Sequence, residues 1–428
     1  MLFEHTRRED HQDRREEMPK QIGHRDFSVT LKDILAAHER IKDAIYRSPC
    51  PYSLQLSRLC GCRIFCKLDH LQMTGSFKER GARNKLLLLN PNQRKAGVVA
   101  ASAGNHGLGV AYHGQLLQIP VTVVMPKWAP LVKVSNCRGF GAIVVLHGES
   151  YDHAKVLATQ LADEKGLAYI PGFDDPDIIA GQGTMGLEIL QDVPDVDAVI
   201  VPIGGGGLIS GVALAIKSLK PDVRIIGVEP AHAPTLHESL RLKRLVRIET
   251  KPTLADGLAV AEGGKLCFEI IQKLVNCVML VDEGQIALSI LRLLELEKTV
   301  VEGAGAVPLA AAMDKSMGLA GKNVVLALCG GNIDVTTIAR VIDRGLAADG
   351  RFCRVFARLL DRPGALANLA ALLASTGASI QDVSHDRHFG PADVARVVVV
   401  CTLETRDADH IAEIRKTLKD HGIDATVE

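Results

Sequence analysis

Short apolar segments alternate with longer amphipathic ones along most of this chain. Six segments have the length and β-branched composition of buried strands, at residues 98–101, 121–125, 143–146, 198–203, 223–228 and 324–328. Helix-length stretches separate most of them, which is the pattern of parallel sheets with crossover helices. We therefore predict an α/β body over residues 27–344, arranged as two lobes with open parallel sheets.

The pattern changes after Arg344, where a linker of mostly small residues occupies 345–351. The elements predicted beyond it are strand 353–359, helix 364–376, strands 378–383 and 394–403, helix 408–420 and strand 423–427. Gly377 is placed to end the first of these helices. This βαββαβ order predicts a ferredoxin-like domain over residues 352–428.

Composition excludes several classes of protein. The 428 residues contain 50 Lys and Arg against 50 Asp and Glu, so no one-signed field favours nucleic acid or an anionic membrane. The longest apolar runs, such as 394–403, are too short for a transmembrane helix, which needs about 20 residues. Residues 1–26 carry charges of both signs without an apolar segment, unlike a signal or transit peptide, and we expect a disordered or loosely helical extension.

The ten cysteines follow no disulfide framework. Cys60, Cys62 and Cys66 lie within a short strand-like stretch, but a zinc site needs a second ligand cluster with matching spacing, and none follows. We therefore expect reduced thiols in a cytoplasmic protein.

Candidate chemistry lies in four loops near predicted strand ends and helix starts, the edge at which ligands bind open α/β sheets. The strongest signal is Pro-Ile-Gly-Gly-Gly-Gly-Leu at 202–208, which contains four consecutive glycines, Gly204, Gly205, Gly206 and Gly207. Glycines allow close backbone approach, and a helix start supplies unpaired amides, so we predict a phosphate site. A tight turn would need only one or two glycines. A dinucleotide site is disfavoured, because Ile209 stands where the third glycine of Gly-x-Gly-x-x-Gly would be.

The second loop, Ser-Phe-Lys-Glu-Arg-Gly at 76–81, precedes a helical run. A lysine at such a position is usually a solvated cation. Beside a phosphate site it indicates a phosphorylated aldehyde cofactor, because Lys78 has the amine that forms a Schiff base and Phe77 can stack on an aromatic ring.

The third loop, Ser-Ala-Gly-Asn-His-Gly at 102–107, has small residues at a helix start, which suits the binding of a carboxylate by backbone amides. The Asn105 side chain can hydrogen-bond a ring hydroxyl. We assign His106 no proton-transfer role, because a packed or backbone-bonded histidine explains it equally well. In the fourth loop, Cys-Gly-Gly-Asn from Cys329, the thiol is either a core residue or a neutral partner for a pyridine nitrogen.

Four motifs resemble, in this order, those of the fold-type II pyridoxal-phosphate enzymes: Ser-Phe-Lys-Glu-Arg-Gly-Ala, Ser-Ala-Gly-Asn-His-Gly, Gly-Gly-Gly-Gly-Leu and Cys-Gly-Gly-Asn. Within that family they are most similar to the threonine/serine dehydratase, or threonine ammonia-lyase, branch. The resemblance implies a catalytic domain over residues 27–344, with a small lobe at about 66–165 inserted in the large lobe. Residues 361–366 and the His-Asp-Arg that begins at His385 resemble the ACT domain, which implies a regulatory role for residues 352–428.

The resemblance also implies roles for individual residues. The cofactor would be pyridoxal 5'-phosphate, carried by Lys78, which would also be the catalytic base. The remaining cofactor contacts would be Phe77, Asn105, Gly204, Gly205, Gly206, Gly207, Leu208 and Cys329. The substrate carboxylate would lie on the backbone of Ser102, Ala103, Gly104, Asn105 and His106. No metal ligand is assigned, because Thr235 stands where metal-binding relatives place an acidic residue six positions after the glutamate of Glu229-Pro230.

The implied reaction is a β-elimination that converts L-threonine and L-serine into a 2-oxo acid and ammonia. One methyl group in a pocket changes binding by only about 1 to 3 kcal/mol, so both substrates are expected. Serine racemase is a competing hypothesis, but racemases have serine where Ala103 stands, and alanine transfers no proton. A different fold-type II enzyme, such as a β-replacing synthase, would share the cofactor loops, and a non-catalytic amino-acid-binding regulator could keep the same fold.

Two interpretations of the C-terminal domain are open. It can be a dimerisation module, because an exposed sheet edge readily pairs. The ACT resemblance instead implies an amino-acid sensor with its effector near residues 361–366, for which isoleucine or valine is the natural candidate in isoleucine biosynthesis. We expect a homo-oligomer, either a dimer or a tetramer, and no nucleic-acid or membrane partner.

Overall fold

The computed structural model describes residues 27–386 and 395–428. The predicted extension over residues 1–26 and the first residue of the predicted strand 394–403 lie outside these ranges. No helix in the described ranges is long and apolar enough to cross a bilayer.

The strands form three separate sheets. In chain order they are β1 (Tyr52–Ser53), β2 (Arg63–Lys67), β3 (Val98–Ala101), β4 (Val121–Met125), β5 (Ile143–Leu146), β6 (Ala168–Tyr169), β7 (Ala198–Pro202), β8 (Arg224–Pro230), β9 (Cys277–Val281), β10 (Asn323–Ala327), β11 (Phe352–Leu360), β12 (Ser379–Asp386), β13 (Arg396–Glu404) and β14 (Asp424–Val427). The orders are β1-β2-β10-β7-β8-β9, β5-β4-β3-β6 and β12-β13-β11-β14.

Helices cover the first two sheets and one face of the third. In chain order they are α1 (Leu31–Ile41), α2 (Leu54–Cys60), α3 (Lys78–Leu88), α4 (Pro91–Ala96), α5 (Asn105–Leu116), α6 (Leu131–Gly139), α7 (Tyr151–Lys165), α8 (Pro176–Asp192), α9 (Gly207–Leu219), α10 (Thr235–Arg241), α11 (Lys265–Leu274), α12 (Glu283–Glu297), α13 (Gly303–Ala312), α14 (Val335–Ala348), α15 (Ala365–Ser375) and α16 (Ala408–Asp420). Short 3₁₀ turns occupy Asp69–Leu71, Asp256–Leu258 and Lys315–Met317.

The predicted fold class is confirmed. The four-stranded sheet of the small lobe is parallel throughout, and the six-stranded sheet of the large lobe is parallel except for the two-residue edge strand β1. The last four strands with α15 and α16 form an antiparallel βαββαβ unit with the ferredoxin-like strand order. The central strands β3 and β7 are buried along their whole length, as expected for strands covered on both faces.

The observed sheets differ from the predicted lobe limits at both ends. Strand β2, which reaches residue 67, belongs to the large sheet, whereas β6 joins the small sheet beyond residue 165. Charged residues at both ends of β2 obscure where its strand-like stretch begins and ends, and β6, with only two residues, was not predicted. The edge strand β9 was not predicted either, and most of its side chains are only partly buried.

A cluster of buried charges joins the two lobes. Arg80, on α3 of the small lobe, donates through Nε and Nη2 to the two Asp69 oxygens, each at 2.7 Å. Its Nη1 and Nη2 also donate to the Glu188 oxygens on α8, at 2.6 and 2.8 Å. Lys67 of β2 lies 2.7 Å from Glu188, and its side chain is fully buried. Although burial acts to raise the pKa of Asp69, the Arg80 guanidinium holds that pKa below its usual value.

The C-terminal domain is attached to the large lobe through α14, which leads directly into β11 and packs against α12. Two ion pairs reinforce this junction. Arg292 and Glu295 of α12 pair with Asp349 and Arg351, which lie between α14 and β11.

Replacing Arg80 by methionine should strongly destabilise the body of the protein. The variant leaves the Asp69 and Glu188 carboxylates buried without their guanidinium partner, a change that costs about 3 to 5 kcal/mol. Denaturant unfolding of the full chain measures the loss. The control is Lys322→Met, which removes an exposed pair with Asp197 and should cost less than about 1 kcal/mol. Equal destabilisation by the two variants would refute a special role for the buried cluster.

Candidate active site between the two lobes

The loop that carries the lysine is anchored to the end of β10. The amide of Phe77 donates to the carbonyl of Cys329 at 3.0 Å, and Ser76 forms an isolated bridge with Gly330. Two of the predicted motifs, distant in sequence, are therefore joined by backbone hydrogen bonds. This short junction places Cys329, its acceptor, and Lys78, the residue after Phe77, in one cleft.

Lys78 is the first residue of α3, and its amine is buried in the cleft. Its Nζ donates to the carbonyl of Gly172 at 2.8 Å and lies 5.1 Å from the centroid of the Phe77 ring. Burial lowers the pKa of Lys78 to about 8, although nearby Cys329, Cys267 and Glu302 act to raise it. An appreciable fraction of the amine is therefore neutral and nucleophilic near neutral pH.

The glycine loop forms an anion cradle at the start of α9. Gly206 has a φ of +99°, which disfavours any residue with a side chain. None of the described residues accepts a hydrogen bond from the amides of Gly204, Gly205, Gly206, Gly207 or Leu208. Unpaired amides at the N-terminus of a helix attract an anion, so this loop fits a phosphate.

A segment that the sequence did not single out joins the cradle to Lys78. A Cβ atom on Gly205 would lie 2.3 Å from the Phe173 ring, so this glycine is needed for Phe173 to pack over the loop. The preceding residue, Gly172, is the one that accepts from the lysine amine. Residues 172–173 therefore line the cleft between the amine and the cradle.

His106 has a structural role. Its Nε2 pairs with the carbonyl of Ile170 at 2.9 Å, and its ring is buried. Burial, and then the charge of Lys78, lower the pKa of His106 to about 4, so the ring is neutral near neutral pH.

The loop that contains Ala103 presents free amides at the start of α5. Ser102 Oγ accepts from the amide of Gly104 at 3.2 Å, which fixes the turn. Within the described ranges, the amides of Ala103 and Asn105 have no hydrogen-bond acceptor. This arrangement suits a carboxylate ligand.

Asn105 lies in a hydrogen-bond chain that sequence analysis did not find. Its Nδ2 donates to Glu302 Oε1 at 2.7 Å, and its Oδ1 accepts from Asn332 Nδ2 at 2.7 Å. One sequence signal for Glu302 exists, because it is the lone acidic residue in the apolar stretch 300–312. Cys329 lies nearby with a buried thiol, and burial raises its pKa well above the usual value, so the thiol stays neutral.

Glu229, the glutamate of the Glu-Pro pair considered above for a metal site, already accepts hydrogen bonds from the protein backbone. Its two oxygens accept from the amides of Leu236 and His237 at 2.9 and 2.8 Å, at the start of α10. Burial raises the pKa of Glu229 to about 8. Among the described residues, no group of three or more His, Cys, Asp and Glu side chains is arranged to hold a metal ion.

One ion pair lies at the mouth of the cleft, and a second joins the same two lobes. Lys133 of α6 lies 3.3 Å from Asp256, and Arg247 pairs with Asp152 of α7. Each pair joins the small lobe to the segment 247–256 of the large lobe. The turn that begins at Asp256 also lies against the cradle, because a Cβ on Gly204 would lie 3.2 Å from the carbonyl of Gly257.

The site combines a buried amine of lowered pKa, two turns with free backbone amides at helix starts, and a neutral thiol. An amine of this kind can condense with an aldehyde, and the cradle can hold a phosphate attached to it. The residues present therefore fit a phosphorylated aldehyde of the pyridoxal type, together with a carboxylate-bearing substrate.

Comparison with known proteins identifies a family with this chemistry. The family model described as pyridoxal-phosphate dependent enzyme matches residues 41–330. The L-threonine ammonia-lyase of Thermotoga maritima is 45% identical over 399 residues, which cover 93% of this chain and 99% of that protein.

Solved structures agree with this finding. The processed form of threonine deaminase isoform 2 from Solanum lycopersicum has a TM-score of 0.71 and 38% identity, and covers 73% of this chain and 86% of that one. Maize serine racemase also has a TM-score of 0.71, with 33% identity, and covers 75% of this chain and 99% of that one.

The reactivity of Lys78 should follow its lowered pKa. Acetic anhydride reacts with neutral amines, and the neutral fraction rises with pH, so in protein freed of bound aldehyde cofactor, acetylation of Lys78 should reach half its maximum near pH 8. Peptide mass spectrometry measures the modified fraction, with the exposed Lys95 correcting for reagent loss. A Lys78 curve that keeps rising to the usual pKa of about 10.4 would contradict the expectation.

Proposed function

This chain belongs to the pyridoxal-phosphate dependent enzymes, and on that basis we propose that it deaminates L-threonine, and L-serine, by β-elimination to 2-oxobutyrate or pyruvate and ammonia. The observation that carries the proposal is the buried amine of Lys78, held in the cleft between the lobes with its pKa lowered to about 8. Relatives named L-threonine ammonia-lyase align over more than nine-tenths of this chain.

The cofactor would be held by the residues that the motifs indicate. The amides of the cradle, Gly204, Gly205, Gly206, Gly207 and Leu208, would bind the phosphate. Phe77 would lie against the ring, Asn105 would donate to its hydroxyl oxygen, and the neutral thiol of Cys329 would face the ring nitrogen. A neutral partner leaves that nitrogen largely unprotonated, unlike an aspartate.

Lys78 would move the proton in this reaction. When bound, pyridoxal phosphate supplies an aldehyde that takes up the substrate amine and a ring that accepts the electron pair from the α-carbon. Lys78 Nζ, neutral because of burial, removes the α-proton of the substrate as general base. Its position at the first residue of α3 keeps this amine in the cleft, so proximity contributes to the rate.

The turn at 102–106 would orient the substrate. The amides of Ala103 and Asn105 are free to bind the α-carboxylate, with Ser102, Gly104 and the His106 backbone completing the turn.

A specific observation argues against the alternative function, that of a serine racemase. Racemisation needs a second acid/base on the opposite face of the substrate, and Ala103, at the carboxylate turn, has no group that transfers a proton. The similarity to maize serine racemase is therefore a similarity of fold and family. A non-catalytic amino-acid-binding regulator is disfavoured, because such a protein has no use for the amine of Lys78 beside a phosphate cradle.

For the C-terminal domain, residues 352–428, we propose an ACT-type regulatory role. The ferredoxin-like order supports it, and the sheet has two edge strands, β12 and β14, with which a second copy can pair. Helix α14 directly connects the loop of Cys329 and Asn332 to this domain, so the two can influence each other. The effector would be an amino acid such as isoleucine or valine, bound near residues 361–366 of a homo-oligomer.

The cellular setting we propose is the cytoplasm. All ten cysteines are free thiols, as a reducing compartment favours.

Lys78→Ala should reduce deamination of L-threonine by about a thousandfold or more, because the variant lacks the base. The assay records the visible spectrum of the purified full chain with pyridoxal phosphate, before and after L-threonine, and measures 2-oxobutyrate and ammonia in the same tube. Lys95→Ala on the exposed face of α4 is the matched control and should deaminate normally.

Three outcomes would contradict parts of this function. Normal deamination by Lys78→Ala would remove the assigned base. Formation of D-serine rather than pyruvate from L-serine would favour the racemase. Wild-type protein without a visible cofactor band would remove the enzyme proposal and return the chain to an amino-acid-binding protein.

An effector should shift the threonine saturation curve without competing at the active site. Titration of the full chain with L-isoleucine or L-valine should change the apparent affinity for L-threonine, whereas the D-enantiomers should not. Binding of the effector should persist in Lys78→Ala, because the effector site lies in a different domain. If neither amino acid shifts the curve, the domain acts in subunit pairing alone.

A further inference from the structure

Glu302 is a buried carboxylate that the proposed chemistry leaves without a role. It is the N-cap residue of α13, yet its side chain makes no capping hydrogen bond with that helix. Its Oε1 instead accepts from Nδ2 of Asn105, at 2.7 Å, on the opposite lobe. The residue is only 7% exposed.

The surrounding backbone leaves room for this carboxylate. The Glu302 amide donates to the carbonyl of Gly330 at 3.0 Å, which fixes the residue against the end of β10. A Cβ atom on Gly330 would lie 2.0 Å from Glu302 Oε1, so only glycine at 330 allows the carboxylate its position. Gly330, the first glycine of the Cys-Gly-Gly-Asn motif, is therefore needed to accommodate Glu302. The residue of that motif with an assigned cofactor contact is Cys329.

The partners of Asn105 determine which way its amide points. A carboxylate only accepts hydrogen bonds, so Glu302 takes one of the two Nδ2 hydrogens of Asn105. On the other side Asn332 Nδ2 donates to Asn105 Oδ1, and it also donates to the carbonyl of Thr74, both at 2.7 Å. With Oδ1 occupied, the remaining hydrogen on Nδ2 is the group that Asn105 can offer to a ligand.

We propose that Glu302 is a positioning residue that holds Asn105 with its Nδ2 group, rather than its Oδ1, toward the cofactor ring. The inference rests on the proposed function, because it takes Asn105 as the partner of the ring oxygen. Glu302 itself acts through Asn105 and is not assigned a contact with the substrate.

Several charged and titratable groups surround Glu302. Asp256 of the 3₁₀ turn and Lys133 of α6 act on it from the cleft mouth, and Lys78 and Cys329 face it from α3 and the end of β10. Burial, and then Asp256, raise the pKa of Glu302 to about 7. Above this pH the carboxylate accepts from Asn105; below it the protonated group gains a donor of its own, and the preference for one orientation of the Asn105 amide weakens.

Two substitutions separate positioning from packing. Glu302→Gln keeps the volume but adds an amide donor, which lets Asn105 turn its Oδ1 toward position 302. Glu302→Asp keeps the charge and the acceptor but loses a methylene group. If Glu302 positions Asn105, the glutamine variant should bind pyridoxal phosphate about tenfold more weakly and shift its visible absorption, and the aspartate variant should be closer to wild type. If Glu302 only packs, the order reverses.

Further controls keep the test decisive when a variant is unstable. In an Asn105→Ala background, Glu302→Gln should have no added effect on cofactor affinity, since the residue acts through Asn105. Glu297→Gln alters a half-buried carboxyl on α12 that accepts from Ser53, and it should leave the cofactor spectrum and its pH dependence as in wild type. Melting temperatures of all variants show whether a loss of affinity is a loss of folding.

The outcomes distinguish the two proposals. Equal affinities and spectra for wild type and Glu302→Gln would overturn the positioning role while threonine deamination by the wild type leaves the proposed function in place. A wild-type chain that binds no pyridoxal phosphate would instead overturn the proposed function. An effect of Glu302→Gln that persists in full without Asn105 would also refute the inference.

Discussion

The contact between Arg80 and its two buried carboxylates is the constraint on which the site depends. Arg80 lies two residues after Lys78 on the same helix, and its guanidinium is fixed by Asp69 of the large lobe and Glu188 of α8. Burying these charges is costly, and good geometry is what offsets the cost. Because the geometry must be kept, the start of α3 is held in one place, and the amine of Lys78 is held with it.

The remaining parts of the site follow from strand ends. The cradle follows β7, the carboxylate turn follows β3 and the thiol follows β10, so the carboxyl edges of two separate sheets face one cleft. The short backbone junction between Phe77 and Cys329 holds the small and large lobes together at this edge. Three hydrogen bonds through Asn105 and Asn332 then complete the link from α13 to the lysine loop.

The sequence predicted elements whose signal is local. The strands β3, β4 and β5 and helix α16 were predicted with their observed bounds, because each is a distinct apolar or amphipathic run between turn residues. The glycine cradle was also evident, since four glycines in a row have few other uses. Strand β2 was not predicted with its bounds, because its buried Lys67 resembles a surface residue until its partner Glu188 is known.

The site residues that sequence analysis missed are defined by contacts distant along the chain. Glu302 is 197 positions from Asn105, and Asn332 is 227 positions from it, so no local pattern joins them. The same holds for Gly172 and Phe173, whose importance comes from the lysine and the cradle rather than from their neighbours in sequence.

The two kinds of ion pair between the lobes respond differently to ionic strength. Salt screens charges that water can reach, with a Debye length of about 8 Å at physiological concentration, and hardly affects those in the interior. Asp256 and Arg247 are largely exposed, whereas the side chains of Arg80 and Asp69 are buried almost completely. Added electrolyte therefore weakens the exposed pairs between the lobes and leaves the buried cluster intact, so the surrounding solution can change how tightly the lobes are held without altering how the site is built.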